Sequence, residues 1–289
     1  MAIVVQHVTG ESSILAQRDR TAVAPLVARA RLTAPARPAI GGLLIIERNV
    51  MVYRRTWMIL FSGFFEPLFY LFFFVYPLQT FIGDVTFEGE TVEYAAFVAP
   101  ALLASSAMNG AFYDATNVFW KLRYQKVYES ILSTPVGPKD VAVGETLWAV
   151  LRALLYAAAY LLVIVALGLV ESPWAILALP ACFVIGFAFA GAGIAAVTFM
   201  RTWKDFDLIQ LVMLPMFMFS ATFYPITIYP TMIEWVVRCL PLYQGIELVR
   251  ALTTGTVGPL QLVNVAYLLA MGFIGLAISG RRIDRLLLN

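Results

Sequence analysis

Between Leu147 and Phe199 the chain carries only two charged side chains, Arg152 and Glu171, in two long apolar runs joined by the turn "VESP". A helix needs about 20 apolar residues to cross the hydrocarbon core of a bilayer, and each run supplies that length. Backbone in lipid must satisfy its own hydrogen bonds, so such runs fold as spanning helices. Extending the search gives six predicted spans, at about 57–82, 95–118, 147–169, 174–199, 207–223 and 259–279. Asn109, Asp114 and Asn117 interrupt the second, and Pro215 the fifth. These runs are too long for the short alternating strands of a β-barrel. The expected fold is therefore all-α and polytopic. Composition agrees: 13% of residues are charged, against about a quarter in soluble domains.

Lys and Arg collect on the cytoplasmic side of membrane proteins. With six spans, 18 of the 20 Lys and Arg fall on one side, and only Arg238 and Arg250 fall on the other. The loop at 83–94 is purely acidic, with Asp84, Glu88, Glu90 and Glu93. Both termini are therefore expected in the cytoplasm. A net charge of +2 is too small to imply nucleic acid.

Residues 1–39 are rich in Ala, Arg and Pro and lack the apolar core of a cleavable signal, so a disordered cytoplasmic tail is expected. The next segment, 40–55, places Leu43, Leu44, Ile46, Val50, Met51 and Tyr53 on one side, beside Glu47, Arg48, Arg54 and Arg55. That pattern suits a helix lying in the cytoplasmic interface; a plain extension of the first span is the alternative. In the first span, Glu66 precedes Pro67, which withholds a hydrogen bond from Gly63 and favours a kink. Glu66 at membrane depth is read either as a hydrogen-bonding group between helices or as a pathway residue at a subunit interface. Asp114 and Asn117 share one helix face near the end of the second span, where solvation of the helix end explains them most simply.

The cytoplasmic loop begins with a predicted helix, 119–134, on which Trp120, Tyr124, Tyr128 and Ile131 form one stripe. Pro135 and Pro138 stop it. The stripe fits either lipid headgroups or a groove in a soluble partner. On the outer side, "FYPITIYPTMIEWVVRCLPLYQGIELVRAL" breaks the apolar pattern between the last two spans. Thr231 and Glu234 fit a capping box, and Glu247 and Arg250 stand at i,i+3, able to pair. Two half-length helices here are read as re-entering the outer leaflet, with an interfacial aromatic loop as the alternative.

Catalysis finds little support. The single histidine, His7, lies in the tail, so Ser–His and His-Glu-x-x-His chemistry is excluded from the bundle. No phosphate-binding loop of the G-x-x-x-x-G-K-[ST] type occurs, and no Cys/His metal cluster. "GFAFAGAG" (186–193) reads as close helix packing. Cys182 and Cys239 read as buried free thiols.

Taken in order, these segments resemble the permease subunits of ABC-2 type (type V) ABC exporters, over about 40–288. The resemblance is carried by "FEPLFYL" (65–71), "FVAPALLASSAMNGAFYDATN" (97–117), "YQKVYESILSTPVGPKDVAVGE" (124–145) and "FYPITIYPTMIEWVVRCLPL" (223–242). Within the family it looks most like the permeases of lipo-oligosaccharide (nodulation-factor) and daunorubicin-type drug exporters. The resemblance implies a plasma-membrane permease, paired with a second permease (identical or not) and with two separate ABC ATPase subunits. Those subunits would bind ATP and Mg, leaving this chain without a cofactor. It implies a coupling helix bearing Tyr124, Lys126, Tyr128, Glu129, Ile131 and Leu132. It also implies an outer gate bearing Tyr224, Glu234, Trp235, Arg238, Tyr243, Glu247 and Arg250. More loosely, it makes Glu66, Asn109, Asp114 and Asn117 pathway or interface residues. The expected cargo is amphipathic, lipid-linked or drug-like. A polysaccharide permease is the nearer alternative; a membrane scaffold or sensor, or a carboxylate- or arginine-based lipid transferase, are the others.

Overall fold

The computed structural model describes residues 38–54, 63, 65–87, 89–125, 127–131, 136–202 and 204–288. The tail expected over 1–39 (its last two residues apart), the start of the first predicted span, Lys126, Leu132 and the Glu129 side chain lie outside that description.

The first helix, α1 (Pro38–Arg54), packs against α5 (Pro138–Ala166). Small residues let the two backbones approach: a Cβ on Gly41 would come within 2.6 Å of Asp140 Cγ, and one on Gly144 within 2.6 Å of Ile45 Cβ. Ile45 and Asn49 are buried on this side, while Leu43, Leu44, Val50 and Met51 remain exposed. The helix α2 (Phe65–Ile82) follows. It widens to a π turn at Tyr70–Val75, just before Pro77, which has no N–H to return to the preceding turn.

The acidic loop is not purely connecting. Strands β1 (Asp84–Phe87) and β2 (Glu90–Glu93) form an antiparallel hairpin, with Val85 opposite Val92 and Gly89 at φ 88° in the turn. This corrects the all-α expectation. Val92 is buried, and Phe87 packs edge-on against Phe97, so the hairpin closes one end of the bundle.

The central helix is α3 (Tyr94–Arg123), buried along most of its length. Ala95, Ala99, Ala104, Ala107, Gly110 and Ala111 keep its surface slim, which lets α5, α6 (Ala178–Phe199, led by the 3-10 turn Pro173–Leu177) and the later helix at Pro241–Thr254 surround it. The stretch 119–134 is divided. The N–H of Gln125 closes back on the Trp120 carbonyl and ends α3, and a separate short helix, α4 (Val127–Ile131), follows.

The helix α6 packs most closely on α10 (Leu260–Leu288). A Cβ on Gly191 would lie 2.6 Å from the Gly272 carbonyl oxygen, so "GFAFAGAG" serves as a close helix crossing. The fifth predicted span, 207–223, is instead a 15-residue helix, α7 (Asp205–Phe219). At about 22 Å it falls short of the roughly 30 Å hydrocarbon core. It stops because Ser220 caps back on the Met216 carbonyl and Ala221 turns to φ 56°. Two shorter helices follow, α8 (Thr231–Arg238) and α9 (Pro241–Thr254). Among the described residues five helices are long and apolar enough to span a membrane: α2, α3, α5, α6 with its 3-10 turn, and α10.

Candidate functional site

Where α1, α3, α4 and α5 converge, two charge-paired clusters lie two helical turns apart. The spacing is set by sequence: Asp114 and Lys121 are seven apart on α3, and Glu145 and Arg152 seven apart on α5. Seven residues return to the same helix face. With the two helices antiparallel, each acid meets the opposing base.

In the cluster nearer the end of α3, the Glu145 carboxylate is 1% exposed and accepts three donors. Lys121 Nζ reaches Oε2 at 2.7 Å, Asn49 Nδ2 reaches Oε2 at 3.2 Å, and the Tyr128 hydroxyl reaches Oε1 at 3.0 Å. One side chain from each of α1, α3 and α4 therefore meets on one carboxylate of α5. Tyr128 is fully buried, and burial first, then the Glu145 charge, push its hydroxyl well above the usual phenol range. It stays a neutral donor at any physiological pH. In the deeper cluster the Asp114 carboxylate meets Arg152 Nη1 and accepts from Asn117 Nδ2 at 3.2 Å and the Tyr53 hydroxyl at 3.3 Å. Arg152 Nη2 donates to the Tyr156 hydroxyl at 2.6 Å, and the guanidinium lies 5.0 Å from the Tyr53 ring centroid. Burial and the Asp114 charge hold Tyr53 at a pKa pushed up to about 12.

The residues expected on the coupling helix separate. Tyr124 is exposed at the end of α3 and packs on Trp120 at 4.6 Å between ring centroids. Tyr128 points inward to Glu145, and Ile131 is half-buried against the cluster of Val118, Phe119 and Val141. The four-residue stripe is thus not one continuous exposed face, because the break at Tyr124 and Gln125 separates α4 from α3.

Of the residues expected along a pathway, Glu66 and Asn109 line the same cavities, while Asp114 and Asn117 are drawn into the deeper ion pair. Simple solvation of the helix end is thereby corrected for Asp114, which is 2% exposed. Sequence reading counted Arg152 only as a topological charge, placed Tyr53 in the apolar stripe of 40–55, and passed over Glu145. The complementary seven-residue spacing was the available signal.

At the opposite end of the bundle, α9 is buried against α3, α6 and α10, whereas α8 exposes Met232, Ile233, Trp235 and Val236. The capping box does not form, since Pro230 occupies the N-cap; Glu234 pairs forward with Arg238 at 2.7 Å instead. Arg238, Tyr243, Glu247 and Arg250 surround a cavity of about 520 Å³. Tyr224 sits outside it, edge-on to Tyr229 at 5.7 Å. Arg250 is 1% exposed. Its guanidinium donates to the Ala221 carbonyl at 2.9 Å, the Phe97 carbonyl at 3.3 Å and Glu247 at 3.1 Å, and stacks 4.0 Å from the Phe97 ring centroid. It joins α9, the head of α3 and the turn after α7. Cys239, expected to be buried, is exposed beside this region; Cys182 is buried.

A family model described as "ABC-2 type transporter" matches residues 42–253, a stretch that holds both charged clusters and the Arg250 junction. The chain is 28% identical over 254 residues to Nodulation protein J of Rhizobium leguminosarum bv. trifolii, covering 86% of this chain and 95% of that protein. It is 29% identical over 231 residues to Nodulation protein J of Rhizobium meliloti (strain 1021), covering 78% and 87%. This chain is a multi-pass membrane protein that belongs to the ABC-2 type transporter family.

Proposed function

We propose that this chain is the membrane subunit of an ATP-driven exporter in the plasma membrane, carrying an amphipathic molecule outward. It works with a second permease and two ABC ATPase subunits that bind ATP and Mg, and it needs no cofactor of its own. Family membership and the likeness to Nodulation protein J support this reading. The observation that carries it is the Glu145 junction, which ties the short α4 to three other helices through one buried carboxylate. A push on α4 and the Trp120–Tyr124 edge has a stiff route into α1, α3 and α5, as a partner-driven motion requires. On this reading α4 and Tyr124 lie in the cytoplasm with both termini, and α7 serves as a short sixth crossing. The helices α8 and α9 then dip in from the outer side, and the Arg250 junction holds the exit closed.

The test is co-purification with an ATPase encoded beside it, followed by transport and ATP turnover in proteoliposomes. Tyr128→Phe deletes one donor to a buried carboxylate, a loss of about 1.5–3 kcal/mol for a bond to a charged group. Transport per ATP is expected to fall about tenfold while ATPase binding persists. Failure of any ATPase to associate, or unchanged transport per ATP in the variant, contradicts the reading.

A further inference from the structure

Two cavities meet at Glu66. One, of about 80 Å³, lies between α2, α3 and α7, with Ser106, Asn109 and Gln210 among its polar lining. Ser106 is 4% exposed, and its hydroxyl is a buried group with no hydrogen-bond partner. The other is an open groove of about 590 Å³ along α2, walled by Phe65, Phe69, Phe73 and Phe74. Glu66 and Tyr70 belong to both. The phenyl rings at 65, 69 and 73 follow one another at i,i+4, with centroids 6.3 and 5.6 Å apart, and so form a continuous apolar strip.

Glu66 makes no hydrogen bond or ion pair among the described residues. Arg152 borders a neighbouring cavity with it, but that guanidinium is held by Asp114 and the Tyr156 hydroxyl. A carboxylate at membrane depth is unfavourable by several kcal/mol unless a partner or cavity receives it, and this one faces a polar pocket on one side and an apolar groove on the other. Ser106 offers a second unsatisfied group in that pocket. The combination matches a molecule with a cationic head and an apolar tail.

We infer that Glu66 is the head-group subsite for a cationic amphiphile. A protonated amine sits on the Glu66 carboxylate, within the pocket that holds Ser106 and Asn109, and its tail lies along the α2 phenyl strip. The role as cargo rests on the exporter reading; the binding itself does not.

The probe is dodecylamine, protonated at neutral pH, compared with dodecanol of the same chain length. Purified full-length chain carrying Phe69→Cys and Cys239→Ser in detergent is treated with a maleimide, and the slowing of modification by each probe gives its affinity. Dodecylamine is expected to protect at a concentration about tenfold or more below dodecanol, as a charge-assisted hydrogen bond implies. Glu66→Gln should abolish that difference, and Glu66→Asp should retain most of it. Equal protection by the two probes in the otherwise unaltered chain overturns the inference, as does amine selectivity that survives Glu66→Gln. Cross-linking of Phe69→Cys chains to each other, undiminished by dodecylamine, would assign the strip to a second copy and also overturn it. No ATPase takes part, so a negative result here leaves the exporter reading intact. Selective protection in a chain that recruits no ATPase would leave the amine subsite without the exporter.

Discussion

Asp114→Asn is expected to destabilise the folded chain by about 3–5 kcal/mol, the range for removing one partner of a buried ion pair. The cause is Arg152, 7% exposed and with its Nη1 on Asp114. Without the carboxylate its charge stays in a low-dielectric site with only a neutral amide oxygen and tyrosine hydroxyls to meet it. Asn117 and Tyr53 then donate to a neutral amide oxygen in place of the carboxylate Oδ1. Reversible unfolding in mixed micelles would measure the loss. The companion double variant Asp114→Leu with Arg152→Met should recover most of it, because replacing both members of a buried pair by apolar groups is often neutral. If Asp114→Asn proves as stable as the parent chain, the deeper cluster is not a structural pin.

Arg250→Leu is expected to have a comparable effect at the opposite end of the bundle, about 3–5 kcal/mol. Leucine fills the apolar part of the site but leaves the Ala221 and Phe97 carbonyls without their donor and removes the ion pair to Glu247. The turn at 220–224 would then lose its tie to α9, and limited proteolysis of the purified chain should cut there in the variant before the parent chain. Arg250→Lys should not rescue. A single ammonium cannot reproduce a planar fork that serves two carbonyls and a carboxylate while stacking on Phe97. A lysine variant with parental stability and protease resistance would show that charge alone suffices.

Much of this architecture was legible in the residues, because spans are written in long apolar runs. What eluded the sequence were features decided by neighbours. The hairpin at 84–93 has only four-residue strands, and their pairing depends on Phe87 finding Phe97. Trp120, Tyr124, Tyr128 and Ile131 keep helical spacing in sequence, yet the closure of Gln125 on Trp120 ends the helix between them. Tyr128 then turns inward because the Glu145 carboxylate there accepts its hydroxyl, which no local pattern reveals. The fifth span was overextended for the same kind of reason: hydropathy continues through Ala221 and Phe223, but the backbone turns at Ser220 to meet Arg250. Within the candidate site, Asp114 was visible as a charge in a span, whereas its partner Arg152 was absorbed into a charge count.

The central claim, that α8 and α9 face the outside while the Glu145 junction and its α4 helix face the ATPase, can be tested with a thiol the chain already carries. Cys239 is exposed between α8 and α9, and Cys182 is buried. A membrane-impermeant maleimide added to intact cells is expected to modify Cys239 at once, and to modify Tyr124→Cys (in a Cys239→Ser background) only after permeabilisation. Modification of Cys239 solely in permeabilised cells, or of Tyr124→Cys from outside, would contradict it.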